Sequence, residues 1–181
     1  LVTAPNADES MGQVYAYRTD ASGKYRSSFR FLPFDAQPRH LYGRSIAFAG
    51  NQLWIGSIGA DNFMGSVYIM DFDVESFSFS GAHKMAPGGL DRQTMFGNAL
   101  AANDSVAVVG AFRDSRGYGS AHIYEKTDTG DWTVAAKVGS ELQESNTSIL
   151  GDMVPCEDGE AASYSCKNVD LISYVTNKDM G

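Results

Sequence analysis

The feature that most constrains this chain is a repeat. Tyr42-Gly43 returns as Phe96-Gly97, Ile55-Gly56-Ser57 as Val109-Gly110-Ala111, and Gly65-Ser66-Val67-Tyr68 as Gly119-Ser120-Ala121-His122. Each return is displaced by 54 positions (43 to 97, 56 to 110, 65 to 119). Gly12-Gln13-Val14-Tyr15 is an earlier copy, 53 positions before Gly65 (12 to 65). A period near 50 residues means a propeller, a solenoid or an array of small units that cannot bury their apolar faces alone.

The third copy spells out its strands. Phe96–Ala102 is a small-residue strand, and Asn103-Asp104 a turn. The apolar run 105–111 has strand length and reads as an inner strand buried on both faces. After the loop 112–118, residues 119–126 alternate, Thr127-Asp128-Thr129-Gly130 turns, and 131–138 return as a fourth strand. The same reading puts strands of the second copy at 43–49, 52–58, 65–72 and 77–85, and of the first at 1–5, 12–18 and 24–31. The first copy lacks its Tyr/Phe-Gly strand and carries Tyr25 where the third has Trp132.

The expected fold is therefore all-β: about three antiparallel four-stranded blades (1–33, 41–90 and 95–140, the first incomplete), then an irregular tail over 141–181. Gly43, Gly56, Gly97 and Gly110 are expected where backbone approaches backbone, and Tyr42, Phe96 and Trp132 as rings filling the space between blades. Twenty-two acidic side chains against 14 basic ones give a net charge of −8. That balance argues against nucleic acid or an anionic membrane as partner. No run approaches eighteen apolar residues, so no segment is expected to insert in a bilayer. The start at Leu1-Val2-Thr3, inside a strand, reads as a processed chain or a piece of a longer one.

Phe96-Gly97, Val109-Gly110-Ala111, Gly119 to Tyr124 and Gly130-Asp131-Trp132, in register, resemble the FG-GAP repeat, the blade unit of integrin-alpha-type β-propellers. Thr3-Ala4-Pro5 and Ile55-Gly56-Ser57-Ile58 match one of its elements more loosely. The resemblance covers about residues 1–140 and implies a secreted or cell-surface protein that binds, adheres or scaffolds. Many repeats of that family hold Ca²⁺ in an Asp/Asn-rich loop between the second and third strands. Here the loops 6–11, 59–64 and 113–118 lack three spaced carboxylates, and the third carries two arginines. Solvated loops are the expectation, with Asp8 and Asp61 the first candidates for Ca²⁺ and no other cofactor implied.

The tail departs from the repeat. Leu150-Gly151 stands 54 positions after Phe96-Gly97, but no second strand follows it. Cys156 and Cys166 flank a polar, loop-like segment; two free thiols satisfy the number equally well, while the loop lets both reach one bond. A disulfide and an oxidising compartment are the favoured expectation. Cys156-Glu157-Asp158-Gly159-Glu160-Ala161 and Tyr164 to Ser173 resemble the opening signature of choice-of-anchor B family proteins, with Ser165 in place of Pro. That likeness implies a surface location and a disulfide more than an activity. Asn103-Asp104-Ser105 and Asn146-Thr147-Ser148 fit the N-glycosylation pattern.

Three blades leave open edges, which chains normally cover. The first blade lacks a first strand and the tail offers one near Leu150-Gly151. Strand donation between copies would join chains head to tail into a filament, a contact that does not close on itself. No catalytic motif is found. His40, His83 and His122 read as surface or packing residues, and Asp152, Glu157, Asp158 and Asp170 as solvated. Two functions are carried forward. One is an extracellular structural or adhesive module whose partners are other copies of itself or adjacent blades. The other is a ligand- or Ca²⁺-dependent binding propeller fragment.

Overall fold

β-Branched and aromatic runs punctuated by Gly, Asn and Asp turns produce antiparallel sheets throughout the described residues. These are 1–88, 90, 93–114 and 119–139, with the backbone of 160–161 and 164–165, in a computed structural model of the chain. The chain divides into two units, Leu1–Ser140 and Glu141–Gly181. The first holds three sheets. Sheet 1 is β1 (Val2–Ala4), β2 (Gln13–Thr19) and β3 (Tyr25–Phe31). Sheet 2 is β4 (Tyr42–Ala49), β5 (Gln52–Ser57), β6 (Ser66–Asp73) and β7 (Ser78–Met85). Sheet 3 is β8 (Phe96–Ala102), β9 (Val106–Ala111), β10 (Ser120–Lys126) and β11 (Trp132–Val138). Strands lie in chain order within each sheet and every pair is antiparallel. In the second unit, β12 (Glu160–Ala161) and β13 (Tyr164–Ser165) form a two-residue ladder. Cys156, Cys166 and Asn146 lie outside the described residues, so the disulfide and one sequon expected of the tail do too.

The inner strands of sheet 2 face apolar surroundings on both sides because both residues of each alternating pair are apolar, whereas β9, expected to be buried on both faces, buries Ala107, Val109 and Ala111 and leaves Val106 and Val108 half-buried. In β5, Leu53 and Ile55 pack toward sheet 1 with Val14, Tyr42, Tyr68 and Met70, while Trp54 packs toward sheet 3 with Phe96, Val109 and Tyr124. In β6, Tyr68 and Met70 join the first cluster, Val67 and Ile69 the second. Burying each such side chain contributes about 1.5–3 kcal/mol, so the seams between sheets carry the stability of this unit.

The repeat extends to irregularities. The third-to-fourth strand pairs shift register between Ala16 and Tyr17, between Ile69 and Asp71, and between Ile123 and Tyr124. The first-to-second pairs bulge between Tyr42 and Ser45 and between Phe96 and Ala99. Each of these latter bulges contains a glycine with positive φ, Gly43 at 84° and Gly97 at 87°, a conformation that excludes most other residues.

The first two loops expected to be solvated expose Asp8, Glu9 and Asn62, yet they are structured turns. After β1 and β5 the chain makes one-turn segments, Ala7–Ser10 and Ala60–Phe63, whose residues Asp8, Glu9, Ser10, Asp61, Asn62 and Phe63 are left-handed. Ile58 and Ala60 are buried there. Arg39 and Leu41, and Gln93 and Met95, also have positive φ, again 54 positions apart (39 to 93, 41 to 95). Left-handed backbone costs a residue with a Cβ about 1–2 kcal/mol, so a recurring run of it must accomplish something. It aims carbonyls at the next sheet. Leu41 and Tyr42 N–H donate to the Ser10 and Met11 carbonyls at 2.9 and 3.0 Å, and Met95 and Phe96 N–H to those of Phe63 and Met64 at 3.0 and 2.9 Å. Parallel bridges Gly12 to Tyr42 and Gly65 to Phe96 complete two identical joints.

Candidate functional site

At the turn that precedes each third strand the fold assembles the same four positions. An acid comes from the turn (Asp8, Asp61, Asp114) and a polar residue from the start of the third strand (Gln13, Ser66, Ser120). An aromatic stands two residues on (Tyr15, Tyr68, His122), and a base lies opposite it on the fourth strand (Arg30, Lys84, Lys137). Antiparallel pairing places aromatic and base side by side on one face.

In sheet 2 the quartet is closed by a fifth group. Lys84 Nζ lies 2.8 Å from Asp61 Oδ1 and 2.9 Å from Asp35 Oδ2, the latter on the connection between β3 and β4. Ser66 Oγ donates to Asp61 Oδ2 at 2.8 Å, and the Tyr68 hydroxyl to Asp35 Oδ1 at 2.6 Å. Burial works against ionisation of both carboxylates, but these hydrogen bonds and the ammonium outweigh it and hold both below the usual carboxylate range. Burial also opposes the charge on Lys84, and its two carboxylates more than reverse that, raising it. His40, nearby and buried, is pushed down by desolvation despite the field of Asp35. Tyr68 is raised by desolvation and by its bond to Asp35.

In sheet 3 the acid is deeper. Asp114 is 2% exposed, and Lys137 Nζ lies 2.7 Å from its Oδ2. Ser120 Oγ donates to the same oxygen at 2.6 Å, and His122 Nε2 lies 3.6 Å from it. Burial and the Lys137 charge lower His122. Serine, histidine and aspartate in one cluster invite comparison with a nucleophilic triad. Here Ser120 Oγ lies 3.2 Å from His122 Nε2 as well as 2.6 Å from the acid, and the same ring nitrogen faces both, so the three do not line up as a serine–histidine–acid relay. The geometry orients groups and neutralises charge.

In sheet 1 the chain is simpler: Gln13 Nε2 donates to Asp8, and the Tyr15 hydroxyl donates to Gln13 Oε1. Asp8 forms no ion pair among the described residues. The two carboxylates singled out from sequence thus occupy equivalent places, Asp61 holding an ammonium and Asp8 an amide. Among the described residues no three His, Cys, Asp or Glu side chains converge as a metal site. Asn103 lies exposed in its expected turn, its Oδ1 accepting the Ser105 and Val106 N–H groups at 2.9 and 2.8 Å. His83 is exposed, whereas His40 and His122 are core residues.

Of the residues expected between sheets, Tyr42 clusters with Val14 of sheet 1 and Phe96 with Trp54 of sheet 2, whereas Gly110 meets no neighbouring sheet among the described residues. Tyr42 stacks edge-on against Tyr68 with centroids 5.3 Å apart, and Phe96 against His122 at 5.2 Å. Trp132 meets Trp54 at 5.0 Å, and its indole N–H donates to Gln52 Oε1 at 2.8 Å. A Cβ on Gly56 would collide with the Gly97 carbonyl, whereas one on Gly110 would meet only Ala99 of its own sheet, at 3.4 Å. Sequence reading missed Asp35, Lys84, Asp114 and Lys137. The spacing of Asp61 to Asp114 and Lys84 to Lys137, 53 positions each, was the available signal. Neither a protein-family model nor a curated protein matches the chain.

Proposed function

We propose that this chain is an extracellular structural or adhesive module, its sheets the blades of a β-propeller of FG-GAP type, and that chains join head to tail. The observation that supports this reading most is where the backbone strain sits. Among the described residues, ten of the eleven other than glycine with positive φ fall in the two joints between sheets. A protein built around a reaction concentrates strain at a cleft; this one spends it on stacking identical units. The charged quartets fit the same reading, since Lys84 and Lys137 supply internally the positive charge that a metal would otherwise bring. The spaced FG-GAP residues, the sequons and the two tail cysteines support a location outside the cell, and no residue is assigned a catalytic role.

Donation of a first strand to the open edge of β1, near Leu150-Gly151 in sequence, is the proposed connection between copies. Electron microscopy and light scattering of the purified chain test it: filaments or concentration-dependent growth are expected, and a monomer at every concentration would refute it. A second reading, Ca²⁺-dependent binding, is favoured by Asp8 alone, the quartet acid without an ion pair among the described residues. Calorimetric titration with millimolar Ca²⁺ decides it; heat that disappears in Asp8→Asn would establish that reading in place of the scaffold.

A further inference from the structure

The two end sheets carry, at repeat-equivalent positions, the apolar residues that interior seams bury. On the side of sheet 2 that faces sheet 3, Trp54, Val67 and Ile69 are fully covered. Their counterparts one repeat later, Val108, Ala121 and Ile123, are only half-buried, and Val138, the counterpart of Met85, is 50% exposed. Gly110 stands where Gly56 admits the backbone of the following sheet, yet no following sheet touches it among the described residues.

The opposite end shows the converse. Trp132 lies over Trp54 of the preceding sheet, and Phe79 packs on Phe31 of the preceding sheet with centroids 4.6 Å apart. The third member of that series is Tyr25 (25, 79, 132), which is 77% exposed. Val2, the counterpart of the fully buried Ile55, is 54% exposed. One end therefore presents the surface that receives a sheet, and the other the surface that is received.

Resting on the head-to-tail reading above, we infer that the outer face of sheet 3, centred on Val108, Gly110, Ile123 and Val138, is the docking surface for sheet 1 of a second copy. Tyr25 and Val2 of that copy enter the seam as Trp132 and Ile55 do within one chain. The occupant is a second copy because the residues left exposed at the two ends are the repeat counterparts of those buried in the two seams already present. The contact is heterologous, so it propagates.

The test uses the full 181-residue chain. Gly110→Leu blocks only the receiving face, and its Cβ has room within its own sheet; Val138→Lys is the second variant for that face should the first fail to fold by circular dichroism. Tyr25→Ala weakens only the received face. Sedimentation velocity should show wild type growing with concentration and each variant alone monomeric. An equimolar mixture of Tyr25→Ala with Gly110→Leu or Val138→Lys should stop at dimers, because only one functional face of each kind remains per pair. Variants that assemble like wild type, or a mixture that stays monomeric or grows past the dimer, overturn this interface while leaving head-to-tail assembly standing. A wild-type monomer at all concentrations overturns both.

Discussion

Lys137 sets its ammonium 2.7 Å from the Oδ2 of Asp114, a carboxylate with almost no solvent of its own. Lys84 and Asp61 repeat the relationship 53 positions earlier at 2.8 Å, in a more exposed setting. Removing one member of a buried pair leaves an uncompensated charge, whereas removing both does not. Lys137→Met is therefore expected to cost about 2 kcal/mol of unfolding free energy, since Lys137 is itself partly exposed and Ser120 still serves the acid. The double variant Asp114→Asn, Lys137→Met should recover part of that loss. Urea unfolding of the three proteins measures both, and equal stability of Lys137→Met and wild type would contradict it.

The buried histidines give stability a pH dependence of known sign. His40 lies near Asp35, Asp61 and Lys84, and His122 faces Asp114 and Lys137. Both are held by burial below their ordinary value of 6.5, so the unfolded chain binds protons that the folded one refuses. Stability from this source is complete above 6.5 and is lost as pH falls through the folded values. Asp35 and Asp61 are also depressed, from 3.8, and add a second loss at more acidic pH. Melting temperatures should be level above neutrality and fall in two stages on acidification, with His40→Gln shrinking the first. A stability that rises between pH 7 and 5.5 would contradict the assignment.

Close approach of backbones makes glycine irreplaceable at the seams and dispensable where space is open. Gly56→Ala drives a methyl into the Gly97 carbonyl and should cost about 3 kcal/mol, near the upper end of ordinary overpacking. Gly88→Ala, where a Cβ meets nothing within 4 Å, should leave the unfolding midpoint unchanged. Comparable losses in the two variants would show that the seam tolerates separation.

The two tryptophans report on the second seam directly. Trp132→Ala removes both the edge-on contact with Trp54 and the hydrogen bond to Gln52. The expected cost is about 3 kcal/mol, the lower end for truncating a large packed ring. The remaining Trp54 fluorescence should shift to longer wavelength as water reaches its indole. An unshifted spectrum with full stability would mean that Trp132 is not seated on Trp54.

Much of the architecture was legible because its causes are local. The strands of the third copy were read at 96–102, 105–111, 119–126 and 131–138, and they run at Phe96–Ala102, Val106–Ala111, Ser120–Lys126 and Trp132–Val138. Alternation, turn residues and the period were sufficient for that. The turns after β1 and β5 read as plain loops because Asp8-Glu9-Ser10 and Asp61-Asn62-Phe63 look like polar loop sequence. Nothing in those letters announces left-handed backbone, which exists because the next sheet accepts their neighbours' carbonyls. Asp61 was singled out for its charge, but its meaning changed once Lys84, 23 positions away, came within 2.8 Å.

The chain's letters alone determined an all-β fold, its period, and which rings and glycines recur, because side-chain alternation and backbone clearance act over a few residues. Only the tertiary structure decided that Asp61 and Asp114 hold lysines, that strain gathers at the joints, and that Tyr25 and Gly110 belong to opposite end faces. Those outcomes depend on distances between residues far apart in the chain, which packing sets and spacing can only suggest.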